Sequence, residues 1–296
     1  MKKVLFSILT LGALVSCSSE EVLDNAGNDK VEIKLNAGVI TTKAPIESDG
    51  SGNPSVKVDN VQFLRSDGTA DWTTLTSATF TGTIETTQVI TVAEGKTQYY
   101  PIDGTNTNIL GFYPAATSIA TGKASFTIDG SQDIIYATPV SGSKSSAIGN
   151  LQFAHKLTQF KFVLKRDNSG SSDISNVVVS VKSANSTFDM DLADGTLSTW
   201  ATPITTIKPI DGGTATIAGS SESQGIMLEP ELSSIVLSVS ATGFPDQEIT
   251  IDGTDGGKFE TGKAYTLTLT FKAKTIAGEA SIANWQEGTA GGSDIN

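Results

Sequence analysis

Cys17 is the residue of this chain whose type and setting point most directly to covalent chemistry. It ends the run Leu14-Val15-Ser16-Cys17 and is the sole cysteine of the 296 residues. Small and apolar residues ahead of a cysteine suit a lipoprotein signal peptidase, and the thiol is the atom that takes a diacylglyceryl group. Upstream, Lys2 and Lys3 form a basic start. Val4 to Val15 is an apolar run, interrupted only by Ser7 and Thr10 and too short to span a bilayer as a helix. Cleavage is therefore expected between Ser16 and Cys17, leaving Cys17 as the lipidated first residue. A lone thiol in an exported chain would otherwise need its own explanation.

The other reactive residue types do not assemble into a site. His155 is the only histidine. A nucleophile–His–carboxylate arrangement would need it beside partners that its setting, Phe153-Ala154-His155-Lys156-Leu157, does not supply. That stretch reads as a strand, with the imidazole in a structural hydrogen bond. Zinc sites need clustered His and Cys ligands. Asp189, Asp191 and Asp194-Gly195 have the opening spacing of a calcium loop but lack a bidentate acid at its end, so a strand and turn account for them. Asp252-Gly253-Thr254-Asp255-Gly256-Gly257 has no following helix to cradle phosphate. Trp72, Trp200, Trp285 and the pair Tyr99-Tyr100 could form a sugar platform, but scattered aromatics more often close the edges of a core. No catalytic, cofactor or metal site is expected.

The chain carries 20 basic and 32 acidic residues, a net charge of −12 that becomes −14 once Lys2 and Lys3 leave with the signal. Such a surface repels phosphate backbones and argues against nucleic-acid binding. With one cysteine, no intramolecular disulfide can form. Ser18-Ser19-Glu20-Glu21 resembles the acidic surface-export signal of Bacteroidetes-type lipoproteins. The stretch 17–30 is polar and aperiodic, which suits a flexible tether.

After residue 30 the dominant signal is alternation with period two. Phe160, Phe162 and Leu164 form one apolar face; so do Val177, Val179 and Val181; Phe188, Met190 and Leu192; and Tyr265, Leu267, Leu269 and Phe271. Residues between them are mostly polar, as in antiparallel strands with one face on a core. Asp-Gly pairs at 67–68, 129–130, 194–195 and 252–253 punctuate the strands. The third reads as a type I′ hairpin turn. Many short strands with regular turns predict an all-β protein of two β-sandwiches, over 31–155 and 156–296, behind a signal (1–16) and a tether (17–30). Strands near 124–128 and 78–92 are assigned to the first sandwich.

Several short segments, taken in order, make the chain similar to the fimbrillin family, the type V pilins of Bacteroidetes-type fimbriae, and above all to its Mfa-like members. They are Leu14-Val15-Ser16-Cys17, Thr41-Thr42-Lys43-Ala44, Phe112-Tyr113-Pro114, Asp133-Ile134-Ile135-Tyr136-Ala137, Leu151-Gln152-Phe153-Ala154-His155-Lys156-Leu157, Gly262-Lys263-Ala264-Tyr265-Thr266-Leu267 and Ile282-Ala283-Asn284-Trp285. The resemblance implies two transthyretin-like β-sandwich domains in tandem, joined by the His155 strand. It also implies a fimbrial subunit for cell adhesion, delivered to the outer membrane as a surface lipoprotein. A trypsin-like protease would then cut after a basic residue, release the first strand and open a groove for a strand of another subunit, in a homo- or hetero-polymer.

The residues offer Val31-Glu32-Ile33-Lys34-Leu35 as the removable strand and Lys43-Ala44 as the cut, where the family often has Arg-Ala. Arg65-Ser66 is the other basic site, and strand pairing should protect it. The donor strand is expected from Tyr265, Leu267, Leu269 and Phe271 or from 280–285. The alternative function is a monomeric surface lipoprotein that binds a host protein or glycan and keeps its lipid.

Overall fold

The computed structural model describes residues 30–39, 54–74, 78–168, 172–204, 207–216, 221–254, 257–272 and 276–283. The signal, most of the tether, Cys17, Lys43, Ala44 and Trp285 lie outside them. Every regular element among the described residues is a strand. In order these are β1 (Leu35–Val39), β2 (Val58–Asp67), β3 (Ala78–Ile84), β4 (Val89–Val92), β5 (Thr107–Tyr113), β6 (Ser118–Ala120), β7 (Lys123–Thr127), β8 (Ile135–Gly142), β9 (Leu151–His155) and β10 (Thr158–Arg166). They continue as β11 (Ile174–Val181), β12 (Asn185–Asp191), β13 (Leu197–Pro203), β14 (Ile210–Ala215), β15 (Ser221–Glu222), β16 (Ile226–Leu228), β17 (Ser234–Ala241), β18 (Phe244–Asp252), β19 (Ala264–Phe271) and β20 (Ile276–Ala283).

The first unit is a closed ring in the order β1-β4-β3-β2-β5-β8-β9, with β9 pairing back to β1. Its neighbours are antiparallel except at the closure, where β1 runs parallel to β9. The second unit is a sandwich. One sheet runs β15-β10-β19-β20, with β16 also on β10, and faces a second sheet, β14-β11-β17-β18. The alternation read from sequence is what fills it: Phe160, Phe162, Leu164, Val177, Val179, Val181, Leu267 and Leu269 all point into one core.

A third layer departs from the two-sandwich division of strands. β6 and β7 do not join the ring. They pair with β12 and β13 from beyond residue 155, and Phe188 sits opposite Phe126 across the β7–β12 ladder. This sheet covers the outer face of β2, β5 and β8, whose residues alternate between two cores. Ile109 faces the ring interior and Leu110 and Phe112 face the third layer; Ile135 and Tyr136 divide in the same way. A strand buried on both faces loses the hydrophobic–polar alternation. Phe112, Phe126, Phe188 and Trp200 form a chain of ring contacts with centroid spacings of 5.8, 5.4 and 4.3 Å.

The turn at Asp194-Gly195 is also wider than the sequence suggests. It spans the five residues between β12 and β13, and Gly195, at φ +73°, takes the left-handed conformation while Asp194 does not. Its glycine is needed for space as well: a Cβ there would come within 2.4–2.9 Å of the Tyr136 ring. Tyr136 donates its hydroxyl proton to the Leu192 carbonyl at 2.9 Å. Burial, aided by Asp194 and Asp191, pushes the phenol far above its ordinary pKa, so it stays a donor.

Because the third layer borrows strands from both halves, Phe188→Ala should destabilise the whole chain by about 3–5 kcal/mol. Scanning calorimetry should show one unfolding peak moving to lower temperature. Two peaks, only one of them shifted, would mean that the halves fold independently.

Candidate functional site

Two short ladders hold the first strand of the ring. β1 meets β4 through two residue pairs, Leu35 with Ile90 and Asn36 with Val89. It meets β9 through three: Ala37 with Leu151, Gly38 with Gln152 and Val39 with Phe153. Ahead of β1 the pairing continues onto the segment before β5. Ile33 N–H donates to the Gln98 carbonyl at 2.8 Å, and Tyr100 N–H donates to the Val31 carbonyl at 2.9 Å. Ala37 N–H reaches the Gln88 carbonyl at 2.7 Å. The removable strand read from sequence, 31–35, is thus the first half of a longer seated segment, 31–39.

The seat is apolar below and wet above. Ile33, Leu35 and Ala37 point inward, and each is buried to within 2 %. They join Val61, Phe63, Phe80, Ile84, Tyr100 and Phe153 in the ring core. Glu32, Lys34 and Asn36 point to solvent. Burying Ile33 and Leu35 contributes about 1.5–3 kcal/mol each. Without the segment, those contacts vanish and both neighbouring edges lose their partners: the Gln88 and Gln98 carbonyls and the Tyr100 N–H become orphans beside a bare core. Tyr100 also braces the opposite side, its hydroxyl accepting from Ile148 N–H at 2.7 Å.

The other basic site is closed to a protease. Arg65 lies in β2 between β3 and β5, with its side chain only 13 % exposed. Nε and Nη2 grip the two oxygens of Asp67 at 3.0 Å each, and Nη1 donates to Gln98 Oε1 at 3.1 Å. An extended ten-residue strand hydrogen-bonded on both edges cannot enter a protease cleft.

Tyr265, Leu267, Leu269 and Phe271 sit in β19, almost wholly buried, between parallel β10 and antiparallel β20. Giving up that strand would dismantle the second core. Its neighbour β20 is the edge of the sheet. It pairs with β19 alone, its Ile276, Gly278 and Ala280 are half-buried, and Ile282 is 41 % exposed. Of the two donor segments expected from sequence, Tyr265–Phe271 is paired on both sides, and the described part of 280–285 belongs to the edge strand β20.

His155 ends β9, with its Nδ1 2.9 Å from Asp133 Oδ1 and both side chains buried. Lys156 N–H then donates to the Ile134 carbonyl, and Leu157 enters the third core. The pair therefore locks β9 to the start of β8 where the chain leaves the ring. Asp189, Asp191 and Asp194 do not converge. Asp189 accepts from Ser125, Asp191 from Ala193 N–H and Asp194 from Thr196 N–H. Trp72 and Trp200 pack into the third layer, and Tyr99 lies apart on the segment beside β1.

The described chain is all-β, its ring closed by a short first strand and its last described strand the edge of a sheet. Its sequence places it in a family: residues 57–285 match the fimbrillin-like family model, and the chain belongs to that family. A curated relative, "Putative fimbrium subunit Fim1C" of Bacteroides uniformis, is 24% identical over 230 residues, covering 70% of each chain. Two crystal structures share the fold at a TM-score of 0.59. One is a "putative cell adhesion protein" from Bacteroides uniformis, 19% identical, covering 87% of this chain and 99% of that one. The other, of the same description, is from Bacteroides ovatus, 15% identical, covering 88% and 100%.

If Leu35 anchors β1, Leu35→Ala should cost about 2–5 kcal/mol of ring stability. Amide hydrogen exchange at Ile33, Leu35 and Ala37 should speed up by more than that of β10 and β19. Equal acceleration everywhere would show that β1 is not a separately opening element.

Proposed function

We propose that this chain is a non-enzymatic fimbrial subunit that joins its neighbour by exchanging β1 for a strand of another subunit. Family membership and the fimbrial and adhesion descriptions of its relatives support a cell-surface role. The observation that carries the mechanism is the seat of β1: an apolar trough flanked by two strands whose only partner there is the segment 31–39.

In this reading Cys17 takes lipid and delivers the monomer to the outer membrane, with β1 keeping the ring closed. A trypsin-like protease then cuts at Lys43-Ala44, in the connection between β1 and β2. The cut changes no contact in the seat. It changes effective concentration: a strand held by its own chain competes at about millimolar strength, and a cut strand does not. A donor on a neighbouring subunit can then replace it, backbone bonds supplying affinity and alternate side chains supplying register. β20, an edge strand, is this chain's own donor toward the next subunit.

A second reading has one observation in its favour. A cleft of about 480 Å³ lies beside the start of β2, lined by Lys57, Asp59, Asn60, Tyr113, Gln132 and Asp133 among others. A monomeric lipoprotein could hold a glycan there and would keep its acylated Cys17.

Mass spectrometry of surface-extracted protein separates the two. The fimbrial reading expects chains beginning at Ala44 and ladders in mild-detergent gels, both lost in Lys43→Gln. Acylated Cys17 as the sole N-terminus, with no ladders, would overturn it.

A further inference from the structure

We infer that the cleft beside the start of β2 is a binding site for a neutral sugar, and that strand exchange leaves it in place. The inference rests on the cleft of the second reading above but does not need that reading's monomer. It comes from a buried carboxylate oxygen that lacks a hydrogen bond at a concave, polar surface.

Two stretches of the ring build the cleft. One is Val56 to Asn60, the entry into β2. The other is Ser131 to Asp133, just ahead of β8, and Tyr113 at the end of β5 completes the lining. The register of β2 on β3 shifts between Val58 and Val61, and Asn60 takes φ +59° within that shift. A bulge re-aims side chains out of the ladder. Asp59 and Asn60 are both exposed, and both line the cleft. At about 480 Å³ the space suits a small molecule rather than a polymer lying across it.

Asp133 is the buried member of this lining, its side chain 1 % exposed. His155 Nδ1 lies 2.9 Å from Oδ1 and 2.8 Å from Oδ2. One ring N–H cannot be aligned on both oxygens, and Oδ2 has no hydrogen-bond partner among the described residues. A carboxylate has about four acceptor sites, and a buried acceptor left unserved is costly. A ligand in the cleft can bring the missing donor.

The rest of the lining names the chemistry of that donor. Asp59 has Lys57 Nζ at 3.2 Å and accepts from Thr83 Oγ1 at 2.8 Å. Asp133 has His155. Each carboxylate already has a basic neighbour, so the cleft does not call for an added cation. An anionic ligand would meet two carboxylates on a chain of net charge −12. The donor that fits is uncharged, a hydroxyl. The Asn60 amide can both give and accept, as neighbouring hydroxyls require, and Gln132, whose Oε1 accepts from Asp129 N–H, has its NH₂ to give. Val56, 55 % exposed, and the Tyr113 ring offer apolar surface to the C–H face of a pyranose. A few placed polar groups on a partly apolar wall are the usual make-up of a small-molecule site. None of the lining residues belongs to 31–39. Sugar binding and strand exchange are then separate properties of one chain.

The test is calorimetric titration of the mature chain, made without residues 1–16. The probes are glucose, galactose, mannose and N-acetylglucosamine, beside glucuronic acid and glucosamine. At least one neutral sugar should bind with a Kd below about 10 mM, and both charged sugars should bind about tenfold more weakly or worse. Asp133→Asn should weaken the neutral sugar about tenfold or more. Because Asp133 also holds His155, a second variant guards against a folding defect. Asn60→Gly keeps a backbone that tolerates positive φ and removes only an exposed amide. It should weaken binding while thermal unfolding stays unchanged. No neutral sugar binding below about 10 mM would overturn the inference. So would charged sugars that bind as tightly, or native affinity in both variants. None of these results bears on Ala44 N-termini or on ladders, by which the strand-exchange reading stands or falls.

Discussion

A ring of β-strands is free of exposed edges only while every strand is present. In this protein the closing strand is held by short ladders: five residues, two register pairs on one side and three on the other. Six further strands form a continuous antiparallel run from β4 to β9, and β1 spans the remaining gap. The interaction on which the rest depends is therefore the seating of Ile33, Leu35 and Ala37 over the aromatic floor of Phe63, Phe80 and Phe153. Phe80 stacks on Phe63 at 5.2 Å and Phe153 meets it edge-on at 6.5 Å. The floor belongs to β2, β3 and β9.

The third layer packs the strands behind the seat without using the closing strand. β2, β5 and β8 are buried on both faces, inward on the ring core and outward on the sheet built from β7 and β12. None of the inward residues of β1 belongs to that outer cluster. Loss of β1 would bare one face of these strands and leave the other packed. The Tyr136 hydroxyl on the Leu192 carbonyl ties the ring to the third layer, and the Asp133–His155 pair holds the end of β9, both without involving β1. Under the proposed exchange, this outer packing is what would hold the scaffold while the seat changes strands.

Much of this was legible in the sequence, and the reasons are local. Phe160-x-Phe162-x-Leu164 and Tyr265 through Phe271 declare strands with one dry face, and both fall where expected. The second unit is accordingly close to its reading. The departures are cases in which alternation carries no information. β5 is apolar on both faces, so its pattern cannot say which core Leu110 or Ile109 joins. The residues of β7 look like any half-buried strand, and nothing in them names β12 as partner. Residues 78–92 read as one strand but fold as two, because Glu85–Gln88 form a turn in which Gln88 takes φ +68°. The parallel closure of β1 on β9 is invisible for the same reason: long-range pairing depends on what else has already paired. The seat itself was half legible. Val31 to Leu35 announces a strand, and the part Ala37 plays in it shows only once its burial is known.

The central claim is that β1 must leave for the chain to join its neighbour, and a reversible lock on that strand tests it most directly. Gly38 and Gln152 are paired across the β1–β9 closure, and a Cβ on Gly38 would lie 2.5–3.0 Å from the Gln152 side chain. The pair Gly38→Cys and Gln152→Cys is therefore placed for a disulfide. The measurement is the amount of this variant in high-mass ladders from cells that make its partner subunits, before and after mild reduction. The account predicts monomer when the bond is closed and ladders once it is opened. Ladders of equal strength with the bond intact would contradict it.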